Sequence, residues 1–259
     1  MPSLTIKNFI MRYIFLSIVL FMLLSCNKGS SDAARSAAST GAGGSTARFT
    51  IVGNYLYTVD KETLKVFDVS AAAAPVFLRS VPVGFDIETI YPFKDKLFIG
   101  STSVVHIFSL SDPANPQKLS QAVSPEVIRR CDPVVAKDTV AYATLRANGS
   151  CGGAQSILAT FDIRNVTSPV QKASFSLPEP YGLGYKDSTL YVCDRHAGVM
   201  VFNISNGFQP THVKNVGSAN DRYLDVIPYN NLLVCWIDKG MALYDISNQR
   251  DPVFIKTIN

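Results

Sequence analysis

The sequence predicts an all-β protein, a five-bladed β-propeller of four-stranded antiparallel blades preceded by a lipoprotein signal and a flexible tether. Three observations predict the propeller. One short phrase recurs five times at a period of about forty residues, which is typical of a single supersecondary unit stacked on itself. Short β-branched and aromatic runs, bounded by turn residues, surround every copy. Outside the N-terminal segment, no stretch has a helical period over a useful length.

The recurring phrase is an aromatic residue, a polar Asp, Asn or Ser, an aliphatic residue, and Ser or Arg, with a proline seven positions after the polar residue. The polar side chain can bond to nearby backbone and start a turn. Proline suits the first residue of an edge strand, where it prevents unwanted pairing. The phrase therefore joins the third strand to the fourth. The copies begin at Phe67, Phe108, Phe161, Phe202 and Tyr244, and the prolines are Pro75, Pro116, Pro169, Pro210 and Pro252.

A second strand precedes each phrase and follows a pair of turn residues, and a further strand precedes each pair. All four strands are present in the first and last repeats, so we expect the ring to close by packing alone, without a strand from the other terminus. The turn pairs are Gly53-Asn54, Lys94-Asp95, Lys137-Asp138, Lys186-Asp187 and Asn230-Asn231. The predicted blades span about residues 48–84, 85–124, 125–180, 181–220 and 221–259.

Residues 1–25 are expected to be a lipoprotein signal and Cys26 the acylated residue. Lys7 and Arg12 precede an apolar run that ends in Leu-Leu-Ser-Cys, a lipobox. The alternative is a transmembrane helix, but this run of twelve residues, apolar apart from Ser17, would span about 18 Å of a hydrocarbon core of about 30 Å. Several acyl chains on Cys26 would anchor the protein stably to a lipid bilayer.

Residues 26–47 are expected to form the acylated cysteine and a tether rich in Ser, Ala and Gly, and residues 48–259 the propeller. Asn27, rather than Asp, follows the cysteine, which favours anchoring in the outer membrane. Whether the protein faces the periplasm or the cell surface is left open. The net charge of +4 is too weak for a nucleic-acid binder, and no Lys/Arg cluster stands out.

Four further cysteines lie in the propeller. Cys131 opens a first strand and Cys151 lies in an insertion of the same blade, on the same face of a propeller, so we expect a disulfide between them; the alternative is two free thiols. Cys193 and Cys235 occupy equivalent second-strand positions. We expect both to be free and buried, the alternatives being a second disulfide or a metal pair.

A candidate binding site lies at the channel mouth, where the innermost strands begin. Aligning these strands by their turn pairs puts Arg48, Thr89, Asp132, Tyr181 and Asp225 in corresponding places. The alternative is structural, with carboxylates capping turns and Arg–Asp pairs tying blades together. The candidate residues are Arg48, Glu88, Arg130, Asp132, Arg146, Tyr181, Arg222 and Asp225, which suit a polar ligand, a peptide segment or a carbohydrate.

The phrase, with its Asp-x-Ser and spaced proline, resembles the LVIVD-repeat family. Residues 47–53, 130–135, 144–146 and 151–153 resemble lipoprotein members of that family from Bacteroidetes-type bacteria. The chain departs from the family pattern at Ala71 to Ala74 and at Ser109. The resemblance implies an envelope propeller and no particular activity.

No recognisable catalytic set is present. The three histidines are not equivalent by repeat, and no nucleophile elbow, phosphate loop or zinc spacing occurs. We therefore favour a non-enzymatic, membrane-anchored binding scaffold without cofactor, whose partner is an envelope protein, a peptide or a glycan. The alternative is a propeller hydrolase of the lactonase type, with calcium or another divalent cation held by Glu88, Asp132 and Asp225. A third hypothesis is a purely structural envelope component.

Overall fold

The structure, a computed structural model, describes residues 44–124, 133–147, 155–218 and 220–259. The predicted signal and Cys26 lie outside the described residues. All regular elements in the described ranges are β-strands, arranged as five sheets of four antiparallel strands. This confirms the predicted five-bladed all-β architecture. The described residues contain no helix that could cross a membrane.

Each blade is made of four strands that are consecutive in the chain, so no strand is exchanged between the termini. The strands run in order from the first, innermost one to the fourth. They are β1 (Phe49–Val52), β2 (Tyr55–Val59), β3 (Thr63–Asp68) and β4 (Val76–Pro82) in blade 1; β5 (Ile87–Phe93), β6 (Lys96–Ser101), β7 (Val104–Ser109) and β8 (Gln117–Val123) in blade 2; β9 (Val134–Lys137), β10 (Val140–Leu145), β11 (Ile157–Asp162) and β12 (Val170–Ser176) in blade 3; β13 (Pro180–Lys186), β14 (Thr189–Asp194), β15 (Gly198–Asn203) and β16 (Thr211–Val216) in blade 4; and β17 (Tyr223–Tyr229), β18 (Leu232–Ile237), β19 (Gly240–Asp245) and β20 (Val253–Ile258) in blade 5.

The recurring phrase has one local structure in all five blades. The side-chain oxygen of its polar residue accepts a hydrogen bond from the backbone N–H two residues later, as turn-forming residues do. The pairing of third and fourth strands shifts just before each aromatic residue, and each proline immediately precedes the fourth strand. The interpretation of the phrase is therefore confirmed. The bonds are Ser70 N to Asp68 at 2.8 Å, Ser111 N to Ser109 at 3.1 Å, Arg164 N to Asp162 at 3.0 Å, Ser205 N to Asn203 at 3.0 Å and Ser247 N to Asp245 at 2.8 Å.

The turns between first and second strands correct the predicted alignment. Each turn begins with a residue of positive φ, and in blades 3 and 4 that residue is Asp138 and Asp187. Lys137 and Lys186 are still in their strands, so the prediction was wrong by one residue in these two blades. Because a one-residue shift moves side chains to the other face of a strand, the true counterparts of Arg48 are Pro133 and Gly182, in place of Asp132 and Tyr181.

The blades pack in series through four buried apolar clusters. These clusters join blade 1 to 2, 2 to 3, 3 to 4 and 4 to 5. Three equivalent tyrosines add a hydrogen bond from one blade to a loop of the next. The hydroxyls donate from Tyr57 to Pro113 O at 2.8 Å, from Tyr142 to Gly207 O at 2.9 Å, and from Tyr191 to Gln249 O at 2.8 Å.

Blades 5 and 1 do not meet in the same way. No buried cluster of described residues joins them, and apolar side chains on both sheets are exposed, with Phe49 at 62% and Trp236 at 54%. The prediction that packing closes the ring is therefore wrong for this junction. Lys65 provides a physical reason. It lies on the free face of blade 1, at the position where blades 3, 4 and 5 carry Ala159, Met200 and Ala242. Burying its charge between two blades would cost free energy.

The segment before β1 spans part of this junction. Ser45 is buried, and its Oγ accepts a hydrogen bond from Leu183 N at 2.7 Å and donates one to Asp225 Oδ1 at 3.2 Å. The backbone N–H of Ile90 donates to Ala47 O at 2.9 Å. These residues were predicted to belong to the tether, but the folded part has already begun at residue 44.

Candidate functional site

The first strands of all five blades line one central cavity of about 210 Å³. Its walls include Thr50, Tyr91, Val135, Gly184 and Ile227, one from each blade. The first strands therefore surround a central cavity, as expected for a propeller.

A second cavity, of about 300 Å³, lies where the first strands begin, and we call it the mouth pocket. It is lined by four of the eight predicted site residues, one from each of blades 1 to 4: Arg48, Glu88, Arg146 and Tyr181. Thr46, Thr89, Pro133 and Pro180 complete its walls. The structure thus brings half of the predicted set to one concave surface.

Arg146 is held over an aromatic ring. Its guanidinium carbon lies 4.0 Å from the centre of the Tyr181 ring, close enough for a cation–π interaction. The strand that carries Tyr181 is fixed in turn, because Thr144 Oγ1 donates to Tyr181 O at 2.6 Å. Arg146 forms no ion pair with a described residue, so its charge is available to the pocket.

Glu88 is the carboxylate that the described residues contribute to the mouth pocket. Burial raises its pKa, and the nearby charges of Arg146 and Arg48 counteract this only in part, while Asp86 adds to the increase. Among the described residues, two guanidiniums line the pocket with a single carboxylate, so its described lining carries an excess of positive charge. Such a surface attracts a negatively charged group.

A neighbouring network was missed in the sequence. Glu179 is buried and pairs with Arg195 at 3.0 Å and with His196 Nε2 at 2.9 Å, and the Tyr181 hydroxyl donates to it at 3.3 Å. Burial opposes the charge of Glu179, but the hydrogen bond and charge of Arg195 outweigh it and lower the pKa. The only available signal was the position of Arg195 and His196 in a turn on the same side of blade 4.

The hydrogen bonds of Asp225 indicate a structural role. Its carboxylate accepts hydrogen bonds from Ser45 Oγ at 3.2 Å, Thr46 Oγ1 at 2.6 Å, Thr46 N at 3.2 Å and Val226 N at 2.9 Å. Burial raises its pKa, and these bonds partly offset the effect. Asp225 does not line the mouth pocket; it fixes the segment before β1 to blade 5.

The remaining predictions fall outside the mouth pocket or outside the described residues. The backbone N–H of Arg222 donates to Asp238 at 3.2 Å, and its side chain does not line the pocket. Arg130, Asp132, Cys131 and Cys151 lie outside the described residues, so the disulfide stays a prediction. Cys193 and Cys235 are both free and buried, which confirms that expectation.

The described residues contain no group of three or more His, Cys, Asp or Glu side chains arranged to hold a metal ion. Of the three carboxylates proposed for a divalent cation, Glu88 lines the mouth pocket, Asp225 is bonded elsewhere, and Asp132 is not described.

The first blade matches a known family model. Residues 43–83 match the LVIVD repeat. This stretch contains β1 to β4 and the first copy of the phrase, so the family resemblance has independent support for the repeat and its propeller-like fold. The likeness to lipoproteins of Bacteroidetes-type bacteria stays a prediction. No curated protein matches the chain by sequence.

Several solved structures are similar in fold. A functionally unknown protein from Desulfotomaculum acetoxidans has a TM-score of 0.61 and 14% identity, over 80% of this chain and 68% of that one. The computationally designed Ika8 protein has a TM-score of 0.54 and 15% identity, over 76% of this chain and 57% of its own. A hypothetical selenium-binding protein from Sulfolobus tokodaii has a TM-score of 0.50 and 12% identity, over 78% and 58%. The chain thus spans less than two thirds of the last two, and these likenesses concern the fold alone.

Proposed function

We propose that this protein is a non-enzymatic binding scaffold of the cell envelope, and that its mouth pocket takes a ligand bearing a carboxylate group. The observation that carries the proposal is the convergence of Arg48, Glu88, Arg146 and Tyr181, from four different blades, on one pocket of about 300 Å³.

The charges of the pocket favour an anionic ligand. Arg146 is presented by the Tyr181 ring and has no carboxylate partner among the described residues. Glu179, a nearby second carboxylate, already forms an ion pair with Arg195 and lies 2.9 Å from His196 Nε2. A planar guanidinium binds a carboxylate with two parallel hydrogen bonds, which gives both affinity and orientation.

We propose that the protein is anchored to the surface of a lipid bilayer through Cys26. Replacing Cys26 with Ser removes the acylation site predicted from the lipobox. We expect the wild-type chain to incorporate labelled palmitate and to sediment with membranes, and Cys26→Ser to do neither. Equal membrane recovery of both would overturn the anchor without affecting the proposal for the mouth pocket.

The ligand proposal is tested with the full chain and two families of probe. The first is a set of fluorescent hexapeptides with acidic, neutral or basic side chains; the second is an oligosaccharide of uronic acids beside its neutral counterpart. We expect an acidic member of one family to bind tightest, with affinity falling as salt is added.

Arg48→Gln and Arg146→Gln should each weaken this binding about tenfold or more, because a charge-assisted hydrogen bond is lost. Arg79→Gln is the matched control, since Arg79 lies on β4 and bonds to Asn115 away from the pocket. Equal affinity for acidic and basic probes, or equal effects of the three variants, would overturn the proposal.

A further inference from the structure

A larger cavity lies between blades 1 and 2, and we call it the side pocket. Its volume is about 470 Å³, within the range of about 300–1,000 Å³ that ordinary ligand pockets have. Its walls are residues 83–86 between β4 and β5, residues 101–104 where β6 turns into β7, and the residues His106, Lys118 and Gln121. It shares no residue with the mouth pocket.

His106 is an unsatisfied polar group in the wall of this pocket. Only 4% of its surface is exposed, and its Nδ1 has no hydrogen-bond partner. Gly84 lies against the ring, since a Cβ there would be 3.0 Å from Nε2. Buried polar atoms in proteins are nearly always paired, and an unpaired one lowers stability. A ligand hydroxyl in the pocket can bond to Nε2, the ring nitrogen beside Gly84 of the pocket wall, because either tautomer of a neutral imidazole bonds to a hydroxyl.

Phe85 forms an aromatic rim beside the polar wall. It is 78% exposed, the highest fraction among the exposed large apolar side chains of the described residues. Asp86 follows it with a positive φ of 54°, so the chain turns sharply at this point. An exposed ring next to polar groups offers an apolar platform for one face of a ligand whose edges are polar.

The polar groups of the side pocket include both donors and acceptors. Asp86 supplies a carboxylate, Gln121 an amide, and Thr102 and Ser103 hydroxyls. Lys118 Nζ donates to Val83 O at 3.1 Å and has further N–H groups. Asp86 and Lys118 carry opposite charges, so neither an anion nor a cation is favoured, and a wholly apolar ligand would leave these groups and His106 unpaired. A sugar has hydroxyls that both donate and accept, and a C–H face that stacks on an aromatic ring.

We propose that the side pocket binds a neutral saccharide unit, stacked on Phe85 and hydrogen-bonded to His106, Asp86 and Gln121. This site is separate from the carboxylate site proposed for the mouth pocket and goes beyond it. The two pockets would let one scaffold hold two different groups.

The experiment uses the full chain and a panel of neutral trisaccharides made of glucose, galactose, mannose or N-acetylglucosamine units. Saturation-transfer NMR identifies a binder, and calorimetry measures its Kd. We expect Phe85→Ala to weaken binding about tenfold, through loss of the stacking platform. Phe254→Ala, which removes another exposed phenylalanine in blade 5, should leave the Kd unchanged.

A second readout follows His106 directly. With ¹⁵N-labelled histidine, the bound trisaccharide should shift the His106 ring resonances and leave those of His212 in place. Absence of any trisaccharide binding, equal effects of Phe85→Ala and Phe254→Ala, or unmoved His106 resonances would each overturn the proposal. Arg146→Gln should not change the saccharide Kd, and Phe85→Ala should not change binding of the acidic probe, so the two pocket proposals fail independently.

Discussion

Arg146 and Tyr181 come from adjacent blades, and the guanidinium carbon of one lies 4.0 Å from the ring centre of the other. Their pairing orients a cation in the mouth pocket without neutralising it. We predict that Tyr181→Ala weakens binding of the acidic probe by roughly 0.5–2 kcal/mol, because Arg146 loses its platform. Tyr181→Phe keeps the ring and should retain most of the affinity, as measured by fluorescence anisotropy. Equal losses for the two variants would mean that the hydroxyl, bonded to Glu179, matters more than the ring.

Cys193 and Cys235 should be unreactive in the folded protein. Both are completely buried, and burial raises the pKa of each thiol, so little thiolate forms at neutral pH. We expect iodoacetamide at pH 8 to leave them unmodified until urea is added, as read by mass spectrometry of peptides. The same experiment without reductant reports on Cys131 and Cys151, which the predicted disulfide protects even in urea. Rapid labelling of Cys193 or Cys235 without urea would contradict their burial.

His106 should make the protein less stable in mild acid. Burial, with the charge of Lys118 as a second cause, lowers its pKa from 6.5 to about 4. Because the folded pKa is the lower one, its neutral form supports the fold fully above about pH 6.5, and this support is lost as the pH falls from there towards 4. Between pH 7 and 4.5 we expect a loss of about 2 kcal/mol in unfolding free energy from this group. His106→Gln should show a correspondingly smaller loss in urea titrations, and an identical loss would contradict the prediction.

Trp236 reports on the junction of blades 5 and 1. It is the single tryptophan of the chain and is 54% exposed on the free face of blade 5. We expect red-shifted emission that acrylamide quenches readily and that changes little in wavelength on unfolding. The variant Trp236→Phe gives the background spectrum without tryptophan emission. A blue-shifted, protected emission would mean that this face is covered, either by blade 1 or by another molecule.

The repeat made the architecture predictable, because its phrase encodes a local hydrogen bond that needs no knowledge of distant residues. The bonds from Ser70 to Asp68 and from Ser247 to Asp245 are two examples. The errors in the alignment arose where the position of a single residue decides which side chains correspond between blades. Lys137 is β-strand and not turn, and this shifted the alignment that made Asp132 a counterpart of Arg48.

Long-range contacts were not predictable from the pattern. Ser45 lies in a stretch rich in small residues that reads as a linker, yet it is buried by its bonds to Leu183 and Asp225, far away in the chain. The pairing of Glu179 was missed for a similar reason, since its partner Arg195 lies across a strand pair. Arg48, Glu88 and Arg146 line one cavity, because their positions depend mainly on where strands begin and end.

The central claim is that the excess positive charge of the mouth pocket selects the ligand, and charge reversal tests it most directly. The variant carrying both Arg48→Glu and Arg146→Glu should lose the acidic hexapeptide and bind the basic one more tightly than the wild type does, in anisotropy titrations at low salt. Near-UV circular dichroism serves as the control for folding. If the folded double variant keeps its preference for the acidic peptide, the mouth pocket is not where that ligand binds.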